Sequence, residues 1–147
     1  MEAAYRALQE VKLILDSNCY ISYLNRRDER QFEIMSKLME AVSRTEHEVV
    51  LTGHNMTEIA YVLQSIYNME SRRVHEILAA FINNPGIEFS AGHFPARLLE
   101  FWPGQIKDYG DAVIASAASV LGTRVFTFDQ GFSRALRRLD LEANMSM

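Results

Sequence analysis

The chain has 147 residues, 48% of them hydrophobic and 23% charged, which suits one domain with a sizeable core and excludes a disordered or collagen-like chain. A formal net charge of −4 excludes nucleic-acid binding through bulk positive charge, so any RNA or DNA must be met locally. The single cysteine, Cys19, can neither close an internal disulfide nor furnish a cysteine-rich zinc site, and it fits a reducing cytoplasm. The opening MEAAYRALQE is amphipathic but carries acids and lacks the apolar run of a signal peptide. Residues 1–10 therefore read as a short extension, a docking helix or a frayed end, on a single domain spanning 1–147. Without a long uninterrupted apolar stretch, the expectation is a cytoplasmic protein with no membrane contact.

In chain order, VKLIL at Val11–Leu15 has strand length and ends at Asp16. Helical spacing follows over Ser17–Asn25 and Gln31–Arg44. A second strand, Val49–Thr52, leads into helices Asn55–Tyr67 and Ser71–Asn83, and a third, Ile87–Ser90, precedes Pro95–Phe101 and Asp111–Leu121. A fourth, Val125–Phe128, is followed by a helix over Phe132–Leu139. This alternation predicts βα crossovers, hence an α/β domain of three layers, α/β/α, around a mostly parallel central sheet. The nearly continuous apolar runs VKLIL and RVFTF agree with strands buried on both faces.

In an open parallel sheet, ligands collect beyond the carboxyl ends of the strands, so the residues that end a strand or open the next helix matter most. Four acids answer that description. Asp16 ends the first strand and Asp129 ends the fourth, so both face one rim; Asp111 opens a helix after Gly110, and Glu58 lies near the start of NMTEIAYVLQSIY. Each has a plain alternative: Asp16, Asp111 and Asp129 stand where an acid caps a helix, and Asn55 with Glu58 has capping-box spacing. Brought together, carboxylates repel by about 1 to 4 kcal/mol per close pair, so a cluster of four calls for a cation. Hard oxygen donors select Mg²⁺ or Mn²⁺, which can polarise a phosphodiester and deliver an ionised water.

Taken as a set, ILDSN at 14–18, NMTE at 55–58, GDAVIASAA at 110–118 and TFDQGF at 127–132 resemble the PIN-domain nucleases, and among them the VapC-type toxins of toxin–antitoxin pairs. The resemblance runs from Asp16 to Asp129, nearly the whole chain. It implies a PIN-like fold and a metal-dependent endoribonuclease acting on single-stranded or looped RNA. Asp16, Glu58, Asp111 and Asp129 match the catalytic, metal-holding quartet, with Ser17, Asn18 and Thr127 in support. It further implies a protein antitoxin that lays a peptide across the groove, and a homodimer. The chain departs from the pattern in placing Asn55 where Ser or Thr is frequent, in an extra acid at Asp108, and in its longer N-terminal extension.

RNA must still approach an acidic protein. Arg26, Arg27 and Arg30 follow the first helix, and Arg134, Arg137 and Arg138 share one face of the last, so both groups are candidates to flank the site, with a solvated helix surface as the alternative. Trp102, Phe101 and Tyr109 bracket a Pro-Gly turn and could stack on a base or simply pack. The four histidines lack zinc-helix spacing; His54, close to Glu58, is the one tempting general base for metal-free chemistry. The rival functional class is a catalytically inactive PIN-like module kept for RNA binding or assembly, against which the retention of all four acids counts.

Overall fold

Alternation along the strands sorts the core into two halves. In this computed structural model, which describes residues 12–143, Leu13 and Leu15 of β1 (Lys12–Leu15) join Val49 and Leu51 of β2 (Glu48–Thr52) in one apolar cluster. Ile14 and Val50 point the other way, into a second cluster with Val125 of β4 (Arg124–Phe126). Successive side chains leave opposite faces of a strand, so strands apolar at every position must be covered on both sides.

The covering helices fall on the two faces accordingly. α1 (Ser17–Asn25), α2 (Glu29–Ser43), α3 (Gly53–Ser65) and α4 (Ser71–Ile82) supply Tyr20, Leu38, Ile59 and Phe81 to the first cluster. α5 (Pro95–Phe101), α6 (Tyr109–Leu121) and α7 (Gln130–Arg138) supply Leu98, Ile114 and Leu136 to the second. The small-residue run of α6 is buried continuously from Ala112 to Ala118, which lets this helix lie close against the sheet. No helix among the described residues is long and apolar enough to cross a membrane.

All strand pairings are parallel, in the order β3-β2-β1-β4 with β3 at Ile87–Ser90, so the three-layer α/β/α expectation holds. Leu13 pairs with both Val49 and Arg124, which makes β1 the strand on which the order reverses. The crevice at the carboxyl end of such a strand is where an open α/β sheet binds its ligands.

Several boundaries differ from the sequence expectation. β4 stops at Phe126, because Thr127 and Phe128 leave the ladder to build the turn into α7. α6 begins two residues before Asp111, with Asp108 as its N-cap. α3 begins at Gly53, and its capping box is formed by Thr52 and Asn55, not by Asn55 and Glu58. The expected start of the first strand at Val11 and the extension 1–10 lie outside the described residues.

Candidate active site

Asp16 follows β1 at the crevice. Its backbone N–H donates to the Phe126 carbonyl at 3.0 Å, carrying the β1–β4 pairing one residue further and placing the side chain beside the segment after β4. There Thr127 Oγ1 donates to Asp16 Oδ2 at 2.8 Å, and the Asp129 backbone N–H donates to Thr127 Oγ1 at 3.0 Å. Asp16 is only 6% exposed and occupies the N-cap position of α1, with its carboxylate held by the Thr127 hydroxyl as well as facing the first turn of that helix. Burial pushes its carboxyl pKa up; the Thr127 hydroxyl and the Asn18 backbone N–H pull it back, and the charges of Glu58 and Asp129 add to the rise.

Glu58 is reached through a chain of buried polar groups. Asn55, wholly buried, donates from Nδ2 to the Leu15 carbonyl at 3.0 Å and to Ser17 Oγ at 2.9 Å. Its Oδ1 accepts from the Thr52 N–H at 3.1 Å and the Thr52 hydroxyl at 3.0 Å. Ser17 Oγ in turn donates to Glu58 Oε1 at 2.8 Å. His54 Nε2 lies 2.7 Å from the same oxygen. Burial would raise the Glu58 carboxyl, but His54 and the Ser17 hydroxyl outweigh it and hold the group below the usual carboxylate range. Glu58 conversely raises His54, against the opposing effect of burial.

Asp111 sits in the first turn of α6, where its own N–H is capped by Asp108 Oδ1 at 2.9 Å. The expectation that Asp111 itself opens and caps this helix is thereby corrected. Asp108 takes that place, and its charge bears on both Asp111 and His54. Gly110 permits the approach of α6 to α3: a Cβ there would stand 3.2 Å from His54 Nε2 and 3.3 Å from Asp108 Oδ1. Burial, followed by the charges of Asp16, Asp108, Asp129 and Glu58, pushes the Asp111 carboxyl up to about 7. Asp129 is exposed and does cap: its Oδ1 accepts from the Phe132 N–H at 2.9 Å at the start of α7.

The charges of Asp16, Glu58 and Asp129 bear on Asp111, and those of Glu58 and Asp129 bear on Asp16, with Ser17 and Thr127 as hydroxyl links to Glu58 and Asp16. Among the described residues, no three acidic, histidine or cysteine side chains close into a ready metal cage. Mg²⁺ does not need one, because it keeps several waters and takes only one or two direct carboxylates. A buried carboxylate at Asp16 and a second driven up at Asp111 by burial and like charge are a donor set that a hard divalent cation would fit.

An open cleft of about 410 Å³ reaches Asp16 and Asp129 of the four acids, and Asn18, Phe128, Arg27 and Gln31 also line it. Of the basic candidates, Arg27 borders this cleft, while Arg30 and Arg137 border an adjoining one. Arg26 is turned to Glu29 at 3.1 Å and lies 4.3 Å over the Phe32 ring. Arg134 and Arg138 are exposed on α7 and border neither cleft. The aromatic bracket is largely packing: Phe101 is buried, and Trp102 donates from Nε1 to the Lys107 carbonyl at 3.0 Å and meets Tyr109 edge-on at 5.2 Å. Cys19 is buried with its thiol pKa pushed well up, chiefly by burial, so it is an inert core residue.

Sequence reasoning passed over Gln31, Lys37 and Phe128 as cleft residues. A signal existed for one of them, since Arg30, Ile34 and Lys37 recur at the spacing of a single helix face.

The sequence profile described as PIN domain matches residues 13–137. Among solved structures, a chain in the crystal structure of VapBC2 from Rickettsia felis, bound to a DNA fragment from their promoter, is similar in fold. The TM-score is 0.57 at 16% identity, covering 85% of this chain and 93% of that one. No curated protein matches.

Proposed function

Because this chain belongs to the PIN-domain family of nucleases, we propose that it is a Mg²⁺- or Mn²⁺-dependent endoribonuclease, the toxin of a toxin–antitoxin pair. The observation that carries the reading is the Thr127 hydroxyl, which joins Asp16 after β1 to Asp129 after β4 where the strand order reverses, with the Asp111 carboxyl raised to about 7 by burial and neighbouring acids beside it. Asp16, Glu58, Asp111 and Asp129 would hold the cation. When bound, it polarises the phosphodiester and supplies ionised water.

This chain's own groups prepare the site. Thr127 fixes one oxygen of Asp16 from the end of β4. Ser17 fixes Glu58 from the other side, and Asn55 fixes Ser17 from within the core. His54, beside Glu58, keeps that carboxylate ionised and so able to bind a cation or orient a water.

The motif resemblance to VapC-type toxins supports the toxin reading, as does the likeness of fold to a VapBC2 chain. On this reading a protein antitoxin covers the crevice, two nuclease chains pair as a homodimer, and the protein works in the cytoplasm. Retention of all four acids in the sequence favours an active enzyme over a silent PIN-like module. The test is incubation of purified protein with unstructured RNA. Cleavage with Mg²⁺ or Mn²⁺ and none with EDTA is expected, and cleavage that persists in EDTA and in Asp16→Asn would overturn the proposal.

A further inference from the structure

The cleft that reaches the acids does not end there. At Gln31 and Phe128 it meets a second open cleft of about 580 Å³, which lies between α2 and α7 and contains none of the four acids. The cations bordering it are Arg30, Lys37 and Arg137, and the anions are Glu33 and Glu142. Glu142 is already engaged, 3.4 Å from Arg137 Nε and hydrogen-bonded by the Ser133 hydroxyl. Among the described residues, Arg30 and Lys37 stand in no ion pair. Three cations against two anions leave the cleft a local positive excess on a chain of net charge −4, adjoining an acidic crevice. Phe128 stands at the junction, half-buried, borders both clefts and packs edge-on against Phe126 at 5.0 Å.

We propose that this second cleft is a subsite for the single-stranded RNA segment flanking the bond to be cut. Arg30 and Lys37 take backbone phosphates, and Phe128 takes a base at the junction. The inference rests on the nuclease reading of the first cleft and adds to it where the rest of the strand runs. Cations along a groove with an aromatic face beside them are the physical requirements for holding an unpaired strand without reading its sequence. The cleft volume lies within the roughly 300–1,000 Å³ that admits a ligand the size of a few ring systems, which suits unpaired nucleotides and not a duplex. An acidic metal site cannot itself draw in a polyanion, so the attraction must come from a neighbouring surface.

The test compares wild type with the double variant Arg30→Glu/Lys37→Glu, both positions being exposed on α2, with thermal unfolding recorded to confirm an intact fold. KM and kcat are measured on an unstructured RNA of about 12 nucleotides and on a tetranucleotide, across a salt series. For the longer RNA, KM should rise about tenfold or more with kcat held within about twofold, and the slope of log KM against log salt should fall by about 0.7 for each phosphate that the variant no longer neutralises. For the tetranucleotide the rise in KM should be far smaller. If the variant keeps the wild-type KM and salt slope on the longer RNA, or is impaired equally on both lengths, the subsite is wrong while the nuclease reading stands. If wild type cleaves neither RNA with Mg²⁺ or Mn²⁺, the nuclease reading fails and the subsite with it.

Discussion

Thr127 Oγ1 donates to Asp16 Oδ2 at 2.8 Å while accepting the Asp129 backbone N–H at 3.0 Å, so a single hydroxyl joins the acid after β1 to the acid after β4. The link aims a buried carboxylate and also lowers its pKa, opposing the rise that burial imposes. Thr127→Val keeps the shape and removes both effects. RNA cleavage should fall about tenfold, equivalent to about 1.4 kcal/mol, and the acid limb of the pH–rate profile should move to higher pH. Thr127→Ser should restore most of both, and a valine variant as active as wild type would show that the hydroxyl only shapes the turn.

Asn55 carries the other half of the site. It is wholly buried and satisfies groups on Leu15, Ser17 and Thr52 at once. Asn55→Ala strands several buried polar groups, each costing about 1 to 3 kcal/mol. Chemical denaturation should show a loss of about 3 kcal/mol or more, and a loss under about 1 kcal/mol would mean that water replaces the amide freely.

The raised Asp111 carboxyl makes metal-free stability depend on pH in a definite direction. Between the ordinary value of 3.8 and about 7, the native state keeps a proton that the unfolded state releases. Stability in EDTA should therefore fall as pH rises through that window. The loss should be about 1 to 2 kcal/mol, less than the full shift implies because the group is partly solvated. Asp111→Asn should flatten the dependence between about pH 4 and 7. Denaturation midpoints that rise with pH, or that respond identically in the variant, would contradict the electrostatic account.

Gly86 tests the packing that supports the sheet. A Cβ there would lie 2.0 Å from the Val42 carbonyl oxygen, a backbone atom that cannot swing aside. Gly86→Ala should destabilise by about 3 kcal/mol or more by forcing apart the end of α2 and the approach to β3. Unfolding at the wild-type denaturant concentration would show that the two segments separate easily.

The strands and the rim were readable because their signals are local: Leu13, Ile14 and Leu15 are buried on alternating faces, Val125 lies in the core, and an acid follows or nearly follows each run. The helix starts were not. An acid three residues ahead of another can cap or be capped, and here Asp108 caps α6 while Asp111 feels the charges of the other acids. Likewise Asn55 has a sensible local partner in Glu58, but tertiary contact with Leu15 and Ser17 draws its amide inward and Thr52 closes the box. Arginines on one helix face were equally visible at Arg30 and Arg134, yet only the placement of α2 and α7 on either side of the β4 edge decides which borders a cleft. Long-range placement of this kind leaves no trace in spacing.

Asp16 and its neighbouring acids should form one cation site. Titration of the purified protein with Mn²⁺, followed by the spectroscopic signal of the free ion, measures it without any substrate. Wild type should bind Mn²⁺ in the crevice, and Asp16→Asn should weaken that binding by about tenfold or more while unfolding at or above the wild-type temperature, since it removes a like charge. Equal Mn²⁺ affinity in wild type and in the Asp16→Asn variant would contradict the account.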